Sequence, residues 1–424
     1  MNLIYDISDT PKTAREWWVY AVQQVFAVFV ATVLIANICG TPVDACLFGA
    51  CIGTLLYQVI TKFKSPIFIS SCGATVSAVC GALAIGNCGQ NYLAVAIGGL
   101  VIFGIYALAA FVIKTKGIAV LDKYLPAIIV GPITMVIGAN LAGYINTYVL
   151  VNGQHNDWGL IIALLTMLTV ALSSHYLKGF WKTIPFLIGL LVGYVLSVIL
   201  TVTGVAPIID FSVFSNLHLF NIPDFSFLHW DFSTITIPVI LQIILMFAPV
   251  AVCALAEHYS DHKVLSNIIG TDLTHTPGLD KTLLGDGAAS FIGSVLCGLP
   301  NTSYGEAIAT VGFSRVASTK VLTLAALILG ALSFIAPVQV FIQSIPSCVF
   351  GGCAMVLYGY IFASGLKTLL RSGADLEDNK NLLIVSVIIT IGISGIYLFH
   401  ASFAGVSLAL VVGVLLNLIL RERN

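Results

Sequence analysis

Glu257 and Glu306 are the residues of this chain best placed to do chemistry. Glu257 closes the apolar run from Ile235 to Ala256, and Glu306 follows a Pro-Asn-Thr-Ser-Tyr-Gly break in another such run. A charged side chain at a bilayer centre costs about 2.5–3.5 kcal/mol on insertion scales, so acids at such places are rare and tend to be functional. Carboxylates accept N–H donors. Two of them facing one space suit a small polar cargo with an N–H edge beside carbonyls, as in a cyclic ureide. An acid whose surroundings alternate between two sides of a membrane can also take up and release a proton, so proton coupling is the physical expectation. Asp261 lies four residues after Glu257 and shares its helix face if the helix continues. His258 and His262 flank Asp261, and Asp286 reads as an acid at the start of a span. A histidine near a membrane edge is ordinarily solvated, and a helix-end acid ordinarily serves the dipole.

The elements that must position these side chains are membrane helices. The 424 residues are 58% hydrophobic and 9% charged, with mean hydropathy +1.02. Soluble domains carry about 25% charged residues, so the chain reads as an integral membrane protein embedded in a lipid bilayer. Apolar stretches fall near 18–37, 43–61, 66–82, 91–113, 124–143, 157–174, 183–202, 234–256, 282–298, 301–314, 319–337, 345–364, 381–398 and 402–420, fourteen in all. About 20 apolar residues cross the hydrocarbon as helix. Barrel strands would be half as long and would alternate. The first stretch lacks an A-x-A cleavage site and leads into further spans, so no signal peptide is expected. GxxxxGK[ST], HExxH and GxSxG are all missing. That argues against an ATP-driven pump or a membrane hydrolase; no enzyme activity, cofactor or metal is expected. A net charge of −1 gives no hint of nucleic-acid binding.

Basic residues orient the spans. With the N-terminus inside, the segments on that side hold Lys12, Arg15, Lys62, Lys64, Lys114, Lys116, Lys123, Lys178, Lys182, Lys263, Lys281, Arg315, Lys320, Lys367, Arg371, Lys380, Arg421 and Arg423, which are all 18 basic residues. The opposite loops near 38–42, 83–90, 144–156, 203–233 and 338–344 hold none. Both termini are therefore expected in the cytoplasm.

Two spans look broken. The third begins Lys64-Ser65-Pro66 and reaches Gly73 through hydroxyl-rich sequence; the tenth begins Gly298-Leu299-Pro300 and reaches Gly305 in the same way. They lie seven spans apart, so the halves they mark have opposite orientation. Interrupted segments at corresponding places in two halves point to a transport site made by inverted repeats. Half-helices starting after Gly73 and Gly305 would aim free N–H groups at an electronegative atom of the cargo. The ten cysteines form no CxxC pair and sit mostly in apolar runs, where they read as small packing residues.

The chain resembles the nucleobase–ascorbate transporter family, and within it the bacterial uracil permeases. The resemblance rests on Gln24–Leu34, Gly53-Thr54-Leu55-Leu56-Tyr57, Ala256-Glu257-His258, Pro277-Gly278-Leu279, Pro300-Asn301-Thr302-Ser303-Tyr304-Gly305-Glu306, Arg315-Val316 and Leu357-Tyr358-Gly359. It implies an all-α polytopic membrane protein of two inverted seven-span repeats, with short antiparallel strands in spans 3 and 10. A core domain would comprise 18–113 and 234–337, and a gate domain 114–202 and 338–420. Between them would run an extracytoplasmic loop, 203–233, with cytoplasmic ends at 1–17 and 421–424. The implied activity is proton-driven import of uracil or a related nucleobase, often by a homodimer. Glu257 and Glu306 would bond the base, and Gly73 and Gly305 would offer backbone N–H. Ala31, Tyr304 and Tyr358 would line the pocket.

Three positions depart from the family pattern. Asp261 stands where a histidine is usual, with His262 beside it, so proton coupling would fall to Glu257, Asp261 and His262. Cys72-Gly73 follows Ser70-Ser71 where an aromatic is usual, which removes a stacking surface. Ala307 replaces the usual asparagine. A purine (xanthine or urate) symporter of the same family and an anion transporter of the same fold are the alternatives. Two acids at the site argue against anions.

Overall fold

Residues 3–85, 90–118, 126–151, 154–216, 218–394, 396 and 404–420 are described in the computed structural model. Cys88, Lys123, Arg421, Arg423, the tail 421–424 and parts of the fifth, thirteenth and fourteenth stretches lie outside the described residues, as do parts of the loops near 83–90 and 144–156. The first half runs α1 (Ala14–Cys39), α2 (Val43–Ile60), β1 (Ile69–Ser71), α3 (Val76–Leu83), α4 (Tyr92–Lys116), α5 (Ala127–Ala142), α6 (Asp157–Tyr176) and α7 (Pro185–Val202). The second runs α8 (Ile237–Ile269), α9 (Leu279–Cys297), β2 (Asn301–Ser303), α10 (Gly305–Ser314), α11 (Thr319–Leu332), α12 (Ala336–Gln343), α13 (Ser347–Arg371), α14 (Asn379–Ile393) and α15 (Ala404–Ile419). Among the described residues, eight helices are long and apolar enough to cross a membrane. The chain is a multi-pass, mostly helical membrane protein.

Helix ends follow local chemistry. Thr13 caps α1 by accepting from the Glu16 N–H, and Gly40 closes it at φ 69°, a left-handed turn that glycine adopts without cost. Two sequence boundaries need correction. The helix expected to end near 256 continues to Ile269, because His258, His262, Leu265 and Ile269 recur on one buried face of its polar half. Asp286 does not open its helix either: α9 begins at Leu279, so the acid sits two turns inside and is fully buried.

Packing sorts the helices into two sets. α9 lies against α2 and α4, α8 against α4, and α11 against α1 and α2; separately, α13 lies against α5 and α6, α14 against α5 and α15, and α6 against α7. Fewer contacts, such as α1 with α13 and α8 with α15, join the sets. The α5–α13 crossing is close enough for backbone to meet backbone. A Cβ added at Gly138 would lie 2.6 Å from the Phe362 nitrogen, with no flexible side chain to yield. Gly138→Ala is therefore expected to cost about 1–3 kcal/mol by overpacking, read as a lower thermal midpoint in detergent. Gly104→Ala, which meets nothing within 4 Å, should leave that midpoint unchanged or raised.

β1 and β2 pair antiparallel, with Ile69 opposite Ser303, Ser70 opposite Thr302 and Ser71 opposite Asn301. Non-helical backbone inside a membrane protein must be satisfied by protein groups or a watery cavity. Here hydroxyls supply much of it. Thr54 Oγ1 on α2 donates to the Ile69 carbonyl (2.9 Å) and accepts from the Ile69 N–H (3.1 Å). Ser290 on α9 donates to the Asn301 carbonyl (2.6 Å), and Thr32 on α1 meets Ser70 Oγ at 2.6 Å. The 203–233 connection is pinned rather than free. Asn221 N–H donates to the Phe334 carbonyl, Asp224 N–H to Asp44, and Ser226 to the Val295 carbonyl. The nine described cysteines are free, and all but Cys80 are buried.

Candidate functional site

The strand pair is the centre from which the site is built. Each strand leads into a helical turn, Gly73–Thr75 before α3 and Gly305 at the start of α10. Because the strands are antiparallel, the two helices leave from opposite ends of the pair, and their first-turn N–H groups border it. A Cβ added at Gly305 would meet nothing within 4 Å, while at Gly73 it would approach Ile361 and Leu357 of α13 at 3.5 and 3.8 Å. Gly305 therefore borders open space. Gly73 faces the other helix set across a narrow gap.

Glu257 and Asp261 sit one turn apart on α8, and Glu306 in the first turn of α10; all three are half-buried. They lie within electrostatic reach of one another. Among the described residues, no lysine or arginine pairs with any of them; the ion pairs present are all His–Asp. Tyr304 hydrogen-bonds Glu306 and, through its N–H, the Phe68 carbonyl at 3.2 Å. Ala31 and Tyr304 share a buried cluster with Phe68 and Ala307. Tyr358 belongs to a different cluster, which also holds residues of α1 and α3, and is 1% exposed. Six of the seven expected binding residues thus lie around the strand pair, and Tyr358 is buried on α13, the helix whose Leu357 and Ile361 approach Gly73.

Behind the half-buried acids runs a second layer that sequence reasoning missed. His258 Nδ1 hydrogen-bonds Asp286 Oδ2, and both side chains are fully buried. Asp286 Oδ2 also accepts the Ser303 N–H at 3.1 Å, while Ser303 Oγ stands 3.3 Å from His258 Nδ1. His258 Nε2 meets Thr282 Oγ1 at 3.1 Å, and that hydroxyl donates onward to the Leu279 carbonyl. We assign the proton on Nε2 to the histidine for that reason. The proton between Nδ1 and Asp286 then serves both groups.

His262 is placed differently from Asp261. Its Nδ1 lies 2.7 Å from the His258 carbonyl, which can only accept, so Nδ1 carries the proton. Nε2 must then accept from the Tyr57 hydroxyl at 2.9 Å, and Tyr57 accepts from Ser65 at 2.7 Å. The signal that was available is the i, i+4 spacing of His258 and His262. Two histidines on one face of an otherwise packed helix need partners once buried. Asp286, an acid inside a long apolar stretch, supplies one of them.

Residues 15–401 match the Permease family. The chain is 35% identical to the uracil permease of Bacillus caldolyticus over 99% of its length and 95% of that protein. It is 36% identical to the uracil permease of Escherichia coli K12 over 95% and 90%. Among solved structures, the transmembrane domain of the cyanobacterial bicarbonate transporter BicA superposes with TM-score 0.57 at 15% identity, covering 96% of this chain and 98% of that one. SLC26A9 superposes with TM-score 0.68 at 12% identity, covering 97% and 67%. At those identities the likeness is one of fold.

Proposed function

The chain belongs to the permease family of nucleobase–ascorbate transporters, and from that premise we propose that it is a proton-coupled importer of uracil. The observation that carries the proposal is the convergence of half-buried Glu257 and Glu306 beside open space at Gly305. Uracil presents N–H donors to the two carboxylates and carbonyl acceptors to the N–H groups of Gly73 and Gly305. With no lysine or arginine paired to them among the described residues, the acids favour a neutral N–H-bearing cargo over an anion.

Fourteen spans in two inverted seven-span repeats would hold this site, with α1–α4 and α8–α11 as core and the remaining helices as gate. The segregated packing of those two sets supports rocking of one against the other around a fixed site. Proton coupling would use Glu257, Asp261 and His262. The hydroxyl and backbone partners of His262 also suit it to positioning α8 against α2. A homodimer in the bacterial inner membrane, with both termini cytoplasmic, completes the reading.

Labelled uracil uptake in cells lacking their own uracil permease tests it, with and without a protonophore. Protonophore-sensitive accumulation is expected. Absence of uptake by protein present in the membrane, or xanthine uptake undiminished by excess uracil, would transfer the assignment to purines. Asp261→Asn isolates the coupling. Uptake is expected to lose most of its dependence on external pH, and a fully retained dependence would place the proton elsewhere.

A further inference from the structure

A groove of about 940 Å³ opens between the start of α1, the turn after α2, the segment after α8 and the first turns of α11, and none of the strand-pair residues lines it. Its rim carries Lys62, Lys64 and Lys320, all exposed, and no acid is among its lining residues. None of the three lysines makes an ion pair among the described residues. Glu16 accepts from the Tyr5 hydroxyl and Asp9 from the Asp6 N–H, while Lys320 Nζ donates to the Thr10 hydroxyl. Trp17 stands at the same rim, its indole N–H donating to the Lys320 carbonyl at 3.2 Å.

The lysine positions are built rather than incidental. Lys62 and Phe63 adopt left-handed backbone at φ 55° and 56°, a conformation that non-glycine residues hold only where the surroundings impose it. Phe63 N–H donates to the Gln58 carbonyl at 2.7 Å and Lys62 N–H to the Val59 carbonyl at 3.1 Å. Below this charged rim the wall turns apolar. Leu324 and Leu327 of α11 line it, and Leu327 is 51% exposed. Seven residues of helix separate Lys320 from Leu327, a depth of about 10 Å. That spans the distance from headgroup level into a hydrocarbon leaflet about 15 Å thick.

We infer that this groove holds one anionic glycerophospholipid of the leaflet on the lysine-rich side. The phosphate sits among Lys62, Lys64 and Lys320, Trp17 lies at the interface as tryptophans do, and an acyl chain follows Leu324 and Leu327. A soluble phosphate would use the rim and leave the apolar wall bare; a lipid uses both.

Native mass spectrometry of the detergent-solubilised protein, with phosphatidylglycerol or phosphatidylcholine at equal concentration, tests the assignment. Selective retention of phosphatidylglycerol is expected. Near an anionic lipid surface each lysine is worth about five-fold in binding, so K62Q/K64Q/K320Q should weaken retention by on the order of 100-fold. Brominated phosphatidylglycerol should quench a tryptophan signal that Trp17→Phe removes, and Leu327→Gln should weaken binding with the charges intact. Those two variants keep the test decisive if the triple variant misfolds. Equal retention of both lipids, or retention unchanged in the triple variant, would overturn the assignment. So would displacement by inorganic phosphate, or a two-copy species that the triple variant abolishes.

Discussion

Cells producing Glu257→Gln are expected to accumulate no labelled uracil, although the protein reaches the membrane at the level of the unaltered chain. The amide keeps the shape of the side chain and one acceptor oxygen, but replaces the other with a donor. A uracil N–H that met a carboxylate would then meet an N–H group. Hydrogen bonds to charged groups contribute about 1.5–3 kcal/mol, so the loss of recognition alone is worth roughly 10- to 100-fold in affinity. The second loss falls on coupling, since an amide cannot bind and release a proton in the same range. Uphill transport should disappear even where saturating substrate masks the weaker binding. The half-buried position of Glu257, with no basic group paired to it among the described residues, is what makes both losses specific. Normal accumulation by the glutamine variant would remove Glu257 from the mechanism.

Asp286→Ala is expected to produce the second large effect, through stability. The carboxyl group shares a hydrogen bond with His258 and accepts the Ser303 N–H, with both side chains of the pair fully buried. Removing one partner of a buried pair costs about 3–5 kcal/mol, because the other is left uncompensated. The backbone of β2 loses an acceptor in the same stroke, beside the turn that presents Gly305. A much lower thermal midpoint in detergent and loss of uptake should therefore appear together. Asp286→Asn keeps an oxygen for Ser303 and should lose less on both counts. An alanine variant as heat-resistant as the unaltered chain would mean that the pair does not hold β2 in place.

How much of this was legible differs from residue to residue, for physical reasons. Glu257 and Glu306 stood out because an acid in apolar sequence is costly wherever the chain folds, and that cost is a local property. Broken spans were visible in the same way, since Pro66 and Pro300 deny a helix its hydrogen bonds in any context. The end of α8 was misjudged because the residues after Ala256 are polar by composition. Their burial depends on neighbours: Tyr57 comes from α2, and Asp286 and Thr282 from α9. Asp286 was misread for the complementary reason, since its partner lies on another helix and a lone acid near an apolar boundary looks solvated.

The sequence was sufficient for the membrane class, the helical character of the segments and the two half-buried acids, because each follows from free energies that a short window of residues carries with it. Fold contributed the pairing of Ile69 with Ser303, the hydroxyls that satisfy the strands, and the proton assignments on His258 and His262. These depend on which surfaces meet across distant parts of the chain. No local preference encodes a partner that arrives from the other half of the molecule.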